Sequence, residues 1–140
     1  MWVSPRTLRI SSRTLRLKWF DLPAKAGSVD IDVRSQATVK VIKLRGRLNL
    51  GEAVDRLRQT FDDLVNAGEI YFVLDLGEVT MVDSSGIGLL VKCLTIAKQH
   101  SGSLKLLNPS KFAIQTLRMT GLLSLFEVYT VEEEAVASFH

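Results

Sequence analysis

Ile70-Tyr71-Phe72-Val73-Leu74 is apolar without a break. A strand with one wetted face alternates polar and apolar residues, so an unbroken run of this kind belongs to a strand covered on both faces. The flanking sequence supplies candidate covers. Before it, Val54, Leu57, Phe61, Leu64 and Val65 recur at helical spacing, with Asp55, Arg56, Arg58, Asp62 and Asp63 between them. That pattern predicts an amphipathic helix, closed by Asn66-Ala67-Gly68. After it, residues 87–97 are apolar on most sides and predict a buried helix.

The remaining elements fit around this centre. Val29, Ile31 and Val33 alternate with Asp30, Asp32 and Arg34, the period of a half-exposed strand. Ser35-Gln36-Ala37 turns the chain into a second strand over residues 38–44, and residues 45–49 follow as a loop. Residues 104–107 form a short strand. Asn108-Pro109-Ser110 introduces a helix to about Met119, with Gly121 at its C-terminal cap, and residues 126–129 form a last strand. Thr130 and Glu133 have capping-box spacing for a terminal helix. The order β-β-α-β-α-β-α-β-α predicts a single α/β domain, a mixed central sheet with helices packed against it.

Composition sets limits on function. The 140 residues contain one cysteine, Cys93, which excludes an internal disulfide and a cysteine-based zinc cluster, and two histidines, His100 and His140. The charge is unevenly placed. Residues 1–28 carry Arg6, Arg9, Arg13, Arg16, Lys18 and Lys25 against Asp21 alone, a net +5. Residues 29–140 hold 12 basic and 14 acidic side chains, a net −2. The chain therefore divides into a basic N-terminal extension (1–28) and a mildly acidic domain (29–140), and direct nucleic-acid binding is not expected of the domain. Arg-Thr-Leu-Arg occurs at 6–9 and again at 13–16. As a helix this segment would gather its arginines on one face and Leu8, Leu15 and Trp19 on another, so any membrane contact is expected through it alone. The favoured reading is plainer: a flexible, disordered tail, or translated sequence ahead of the natural start. No stretch reaches the ~18–20 apolar residues of a membrane span, and a cytoplasmic location is expected.

One polar cluster interrupts the apolar sequence: Asp83-Ser84-Ser85-Gly86, followed by Gly88. It marks the junction between an extended stretch and a helix beginning near Ser85. Helix N-termini leave about four N–H groups unpaired, which Asp or Ser side chains accept, so a capping role is one reading. The other is a phosphate acceptor. The free N–H groups and the helix dipole favour an anion, and phosphoserine adds about −1.5 to −2 charges. Gly86 and Gly88 would keep the surrounding surface low. A nucleophilic serine requires a base within hydrogen-bond reach. His100 lies about four turns along the helix, and no Gly-x-Ser-x-Gly is present, so self-contained catalysis is not expected.

Met81-Val82-Asp83-Ser84-Ser85-Gly86-Ile87-Gly88-Leu89 resembles the signature of the STAS domain in bacterial anti-sigma factor antagonists. Gly46-Arg47-Leu48-Asn49 resembles the family's Gly-x-Leu-Asp loop. Val73-Leu74-Asp75-Leu76 resembles its strand before the phosphorylation loop, and Met119-Thr120-Gly121-Leu122 a later helix end. The resemblance implies a binding switch. The unphosphorylated domain docks on an anti-sigma factor that is also a serine kinase of the GHKL ATPase type; phosphorylation of Ser84 weakens docking, and a phosphoserine phosphatase restores it. Asp83 and Ser85 would shape the acceptor loop, Gly86 would let the partner approach, and Asn49 would lie nearby. ATP and magnesium would belong to the kinase, so no cofactor is expected of this chain. Asn49 departs from the family's aspartate and removes one negative charge.

The other residues of note have plain expectations. Cys93 is a small buried hydrophobe, and Met119 belongs to the core, with Leu122, Leu123, Leu125 and Phe126 available for an apolar patch. Glu132, Glu133 and Glu134 suit a first helical turn, and Lys111 and Arg118 are solvated. The competing function is a non-switching STAS scaffold or accessory subunit, in a stress-signalling assembly or a lipid-transport complex. A serine hydrolase is the remote third.

Overall fold

A computed structural model describes residues 29–139. The basic extension 1–28, with the flexible-tail and amphipathic-helix readings made for it, and His140 lie outside the described residues. The elements are β1 (Val29–Gln36), β2 (Val39–Leu48), α1 (Glu52–Asn66), β3 (Tyr71–Val82), α2 (Ser84–Gln99), β4 (Ser103–Leu107), α3 (Lys111–Met119), a 3-10 turn (Leu123–Leu125), β5 (Val128–Tyr129) and α4 (Glu132–Ala137). The five strands lie in sequence order. β1 and β2 form an antiparallel hairpin, and every later neighbour is parallel. The predicted mixed sheet, hairpin first, is therefore the observed one.

The sheet is covered on both faces, as the unbroken run at its centre requires. Residues alternate along a strand, so Phe72, Leu74 and Leu76 of β3 face one way and Tyr71 and Val73 the other. The first set joins Ile42, Leu44, Leu57, Phe61 and Leu90 in the main core beneath α1, α2 and α3, where the Phe61 and Phe72 rings sit 4.7 Å apart. Each such fully buried side chain contributes on the order of 2 kcal/mol. On the other face, Ala135 and Val136 of α4 cover Val39, Val41, Val73 and Leu107. Lys105 is buried there with its ammonium satisfied. It donates to Ser138 Oγ at 2.8 Å, pairs with Glu127 at 3.3 Å and lies 4.4 Å over the Phe139 ring.

Four expectations need correction. Residues 45–48 are strand, because β3 runs on to Val82 and supplies them a ladder, with irregularities around Arg45 and Gly46. Gly46, at φ 100°, marks a bulge in a strand where a loop was expected. The last strand is only Val128–Tyr129, since Leu123–Leu125 forms a 3-10 turn. Thr130 does not cap α4: the helix starts one residue late for the capping box, its N-cap is Val131, and no side chain caps it. Glu132 instead pairs with Arg34 of β1. Met119 is 78% exposed. It follows buried Leu117 by two residues, about 200° around the helix, and so points away from the sheet.

The turn after α3 matches the expected glycine stop. Gly121 has φ 77°, its amide donates to the Arg118 carbonyl, and the Leu122 amide donates to that of Leu117. This is the paired hydrogen bonding of a Schellman stop.

Candidate functional site

The C-terminal ends of the parallel strands β2 and β3 and the N-terminus of α2 meet at one end of the sheet. Leu48 pairs with Val82, the chain then turns at Asp83, and α2 begins at Ser84. The backbone locks the corner: the Asp83 amide donates to the Leu48 carbonyl at 3.2 Å. The Asp83 carboxylate holds both sides of it. Oδ1 accepts from the Gly86 amide at 2.9 Å and from the Ser85 hydroxyl at 2.6 Å, while Oδ2 accepts from the Leu50 amide at 2.9 Å. Asp83 is thus both the N-cap of α2 and the staple that ties the loop after β2 to it. Its partial burial pushes the carboxyl pKa up. The hydrogen bonds from Ser85, Gly86 and Leu50 outweigh that and hold it below the ordinary aspartate value.

The two serines are not equivalent. Ser85 is half-buried, and its hydroxyl is committed to Asp83. Ser84, the first residue of α2, is exposed, and its hydroxyl makes no hydrogen bond to any described residue. Asn49 is half-buried in the same stapled loop, between Leu48 and Leu50. The structure therefore brings Asn49, Asp83, Ser84, Ser85 and Gly86 to one corner, each in a different environment.

The two glycines divide the work expected of them jointly. Gly86 is buried, and a Cβ there would lie 2.6 Å from the Leu48 carbonyl oxygen and 3.0 Å from Leu48 Cγ and Val82 Cγ1. Its lack of a side chain lets α2 close onto β2. Gly88 is exposed with nothing within 4 Å of a Cβ, and it alone keeps the helix surface beside Ser84 low.

Two residues at this corner went unrecognised in the sequence. Leu50 is 76% exposed beside the Asp83 staple, and Met81 is partly exposed three residues before Ser84. Nothing in the local pattern separates an outward leucine or methionine from an inward one. Only the bulged register of β2 on β3 and the left-handed Gly51, at φ 112°, turn them out.

Among the described residues, neither the histidine nor the cysteine is placed to act with Ser84. His100 ends α2, about 24 Å from its start by helical rise, and its ring bonds the Ile96 carbonyl. Cys93 is buried in mid-helix, where burial first of all pushes its thiol pKa up to about 12. Among the described residues no group of three or more His, Cys, Asp or Glu side chains could hold a metal ion. None of their helices is long and apolar enough to cross a membrane.

Comparison with known proteins places this corner in context. The anti-sigma-B factor antagonist of Bacillus subtilis (strain 168) is 27% identical over 109 residues, 78% of this chain and 98% of that protein. The crystal structure of an anti-sigma factor antagonist from Mycobacterium paratuberculosis superposes with a TM-score of 0.72 at 21% identity, covering 82% of this chain and 97% of that one. The Bacillus cell fate determinant SpoIIAA in its phosphorylated form superposes with a TM-score of 0.65 at 24% identity, covering 79% and 100%. The STAS domain family model matches residues 30–135, from the first strand into α4. With that match spanning most of the described fold, the chain belongs to the STAS domain family.

Proposed function

We propose that this domain is an anti-sigma factor antagonist whose docking on an anti-sigma factor is switched off by phosphorylation of Ser84. The observation that carries the reading is the contrast between the serines. Ser85 spends its hydroxyl on the Asp83 staple, whereas Ser84 offers an exposed hydroxyl on the first residue of α2 with no hydrogen bond to any described residue. A phosphoryl group on Ser84 breaks no bond of the fold. It adds about −1.5 to −2 charges beside the ionised Asp83, changing the surface a partner meets while leaving the core alone. Exposed Leu50 and Met81 supply apolar anchors next to that charge. The name of the Bacillus subtilis relative, an anti-sigma-B factor antagonist, supports the antagonist role.

In this reading the partner is itself the serine kinase, of the GHKL ATPase type, and brings ATP and magnesium. A phosphatase resets the switch. Asp83, Ser85 and Asn49 shape the acceptor corner, and the protein works as a binding module in the cytoplasm. The test is incubation with the cognate anti-sigma kinase and ATP, followed by mass-spectrometric mapping. Phosphate at Ser84, absent from Ser84→Ala, is expected. Labelling at Ser85 or elsewhere, or no labelling and no binding by every cognate candidate, would overturn the proposal.

A further inference from the structure

β1 ends the strand order, so among the described residues its outer edge carries no strand. The edge is long and regular. Its eight residues include no proline or glycine and pair with β2 in unbroken register, without a bulge. Such an edge is a template for another chain unless charge, proline or a bulge blunts it. Charge is what β1 has. Asp30, Asp32 and Arg34 lie exposed on the face that carries α4, where Arg34 forks onto Glu132. Neither aspartate makes an ion pair with a described residue, although Asp32 lies opposite Lys43 and Asp30 opposite Arg45. Both of those cations reach Glu78 instead.

The hairpin decides which backbone groups point outward. Its loop is Ala37 and Thr38 alone, so the closing pair Gln36 and Val39 exchanges ladder hydrogen bonds, and alternate pairs do so from there. Asp30, Asp32, Arg34 and Gln36 thereby spend their amides and carbonyls on β2. Val29, Ile31, Val33 and Ser35 direct theirs to the open edge. The Val29 carbonyl is already taken, accepting from Arg56 Nη1 at 2.6 Å. Ile31, Val33 and Ser35 remain, and their outward backbone groups bond no described residue.

A second copy of the same edge fits one register. With a two-fold axis through Val33, the residues Ile31, Val33 and Ser35 pair antiparallel with Ser35, Val33 and Ile31 of the other copy. Every outward group of the three then finds its complement. On the α4 face Asp32 stands opposite Arg34 of the other copy, reciprocally, and Asp30 opposite Gln36. Those are the non-hydrogen-bonded pairs, in which side chains approach most closely. Arg34 keeps guanidinium donors beyond those it gives to Glu132. Neighbouring registers fail. A slide of one repeat in one direction sets Asp32 against Asp32 and calls on the Val29 carbonyl that Arg56 holds. A slide in the other direction sets Arg34 against Arg34. The order of signs recruits a copy of itself in one alignment and repels it in the others.

We propose that this protein forms a two-fold dimer through β1, with Val33 on the axis and reciprocal Asp32–Arg34 ion pairs, joining two five-stranded sheets into one. The corner at Asp83–Gly86 follows β3, two strands in from this edge, so each copy keeps its corner open and the dimer presents both. A single strand-on-strand contact is well below the ~20–30 residues a side of a standard interface, so micromolar or weaker affinity is expected. The dimer is independent of phosphorylation, and the two claims fail separately.

Sedimentation equilibrium of the full chain over a concentration series up to ~1 mM reads the association, with circular dichroism as the folding control. Asp32→Arg and Arg34→Asp each turn both cross-strand pairs into like charges and should weaken the homodimer about tenfold or more. Mixed together, the two variants restore opposite charges at both contacts, so association should return. In a second arm, chains carrying Asp32→Cys and Arg34→Cys are mixed under mild oxidation. Disulfides between unlike chains should form faster than those between like chains, which sit a diagonal step apart; Cys93 is buried and takes no part. If a charge reversal unfolds the domain, the cysteine arm decides alone. A monomer at every concentration, association indifferent to both reversals, weakening without recovery on mixing, or like-chain disulfides forming as fast as unlike ones would overturn the proposal.

Discussion

Gly86 and Gly88, two residues apart on α2, should respond to alanine with opposite sign. At Gly86 the new methyl meets the Leu48 carbonyl oxygen at 2.6 Å, well inside a normal contact, and Leu48 Cγ and Val82 Cγ1 at 3.0 Å. The carbonyl belongs to the backbone of β2 and cannot swing aside, so the start of α2 must lift by several tenths of an ångström. That strains the 2.9 Å bond from the Gly86 amide to Asp83. Overpacking of this kind costs about 1–3 kcal/mol, and the better helix propensity of alanine returns up to about 1 kcal/mol, leaving a net loss of about 1–2 kcal/mol. At Gly88 nothing lies within 4 Å, so the propensity term acts alone and stabilises by about 0.5–1 kcal/mol. For a domain of this size the changes correspond to a Tm lower by ~4–8 °C and higher by ~2–4 °C respectively. Urea titration with an unchanged m-value measures both differences. Two changes of the same sign would refute the claim that Gly86 is present for close packing and Gly88 for surface.

Three further outcomes follow from the same corner and its helix. The Asp83 carboxyl is held below the ordinary ~3.9, so its contribution is complete above that pH and is lost as pH falls through the lower folded value. Asp83→Asn should therefore be less stable than the native protein by about 1 kcal/mol near neutrality, with the gap closing in acid; a gap independent of pH would contradict this. Leu50→Ser should change stability by less than ~0.5 kcal/mol, because the side chain is exposed, while weakening partner affinity about tenfold in a calorimetric titration. Cys93 should react with a thiol reagent only after unfolding, since burial raises its pKa to about 12; labelling of the native protein at the unfolded rate would count against the packing of α2.

What the sequence made legible was the part of the fold written in apolar periodicity. The run at 70–74, the stripe through Leu57 and Phe61, and the glycine stops each correspond to an observed element. The far half of β3 was hidden for a physical reason. β4 ends at Leu107, opposite Asp75, so beyond that point β3 has a strand only on its β2 side. Its other edge is met by the turn before α3, where the Ser110 amide donates to the Leu76 carbonyl and the Ser110 hydroxyl to that of Val79. Gly77, Glu78 and Thr80 are tolerated there, and they break the apolar signal. Met119 and Thr130 were misplaced because one or two residues of phase on a helix decide which way a side chain faces. The corner at Asp83–Gly86 was visible as a motif. What the motif could not show was which serine is free: that depends on where the Ser85 hydroxyl goes, and a sequence does not record it.

The central claim is that one phosphate at Ser84 changes binding without changing the fold. The direct measurement is a pair of calorimetric titrations of the cognate anti-sigma factor into the full chain carrying serine or installed phosphoserine at 84, with circular dichroism on both. The account predicts spectra that superpose and an affinity at least tenfold weaker for the phosphorylated form, on the order of 1.4 kcal/mol or more. Equal affinities, or a phosphorylated form that is weaker only because it has unfolded, would contradict it.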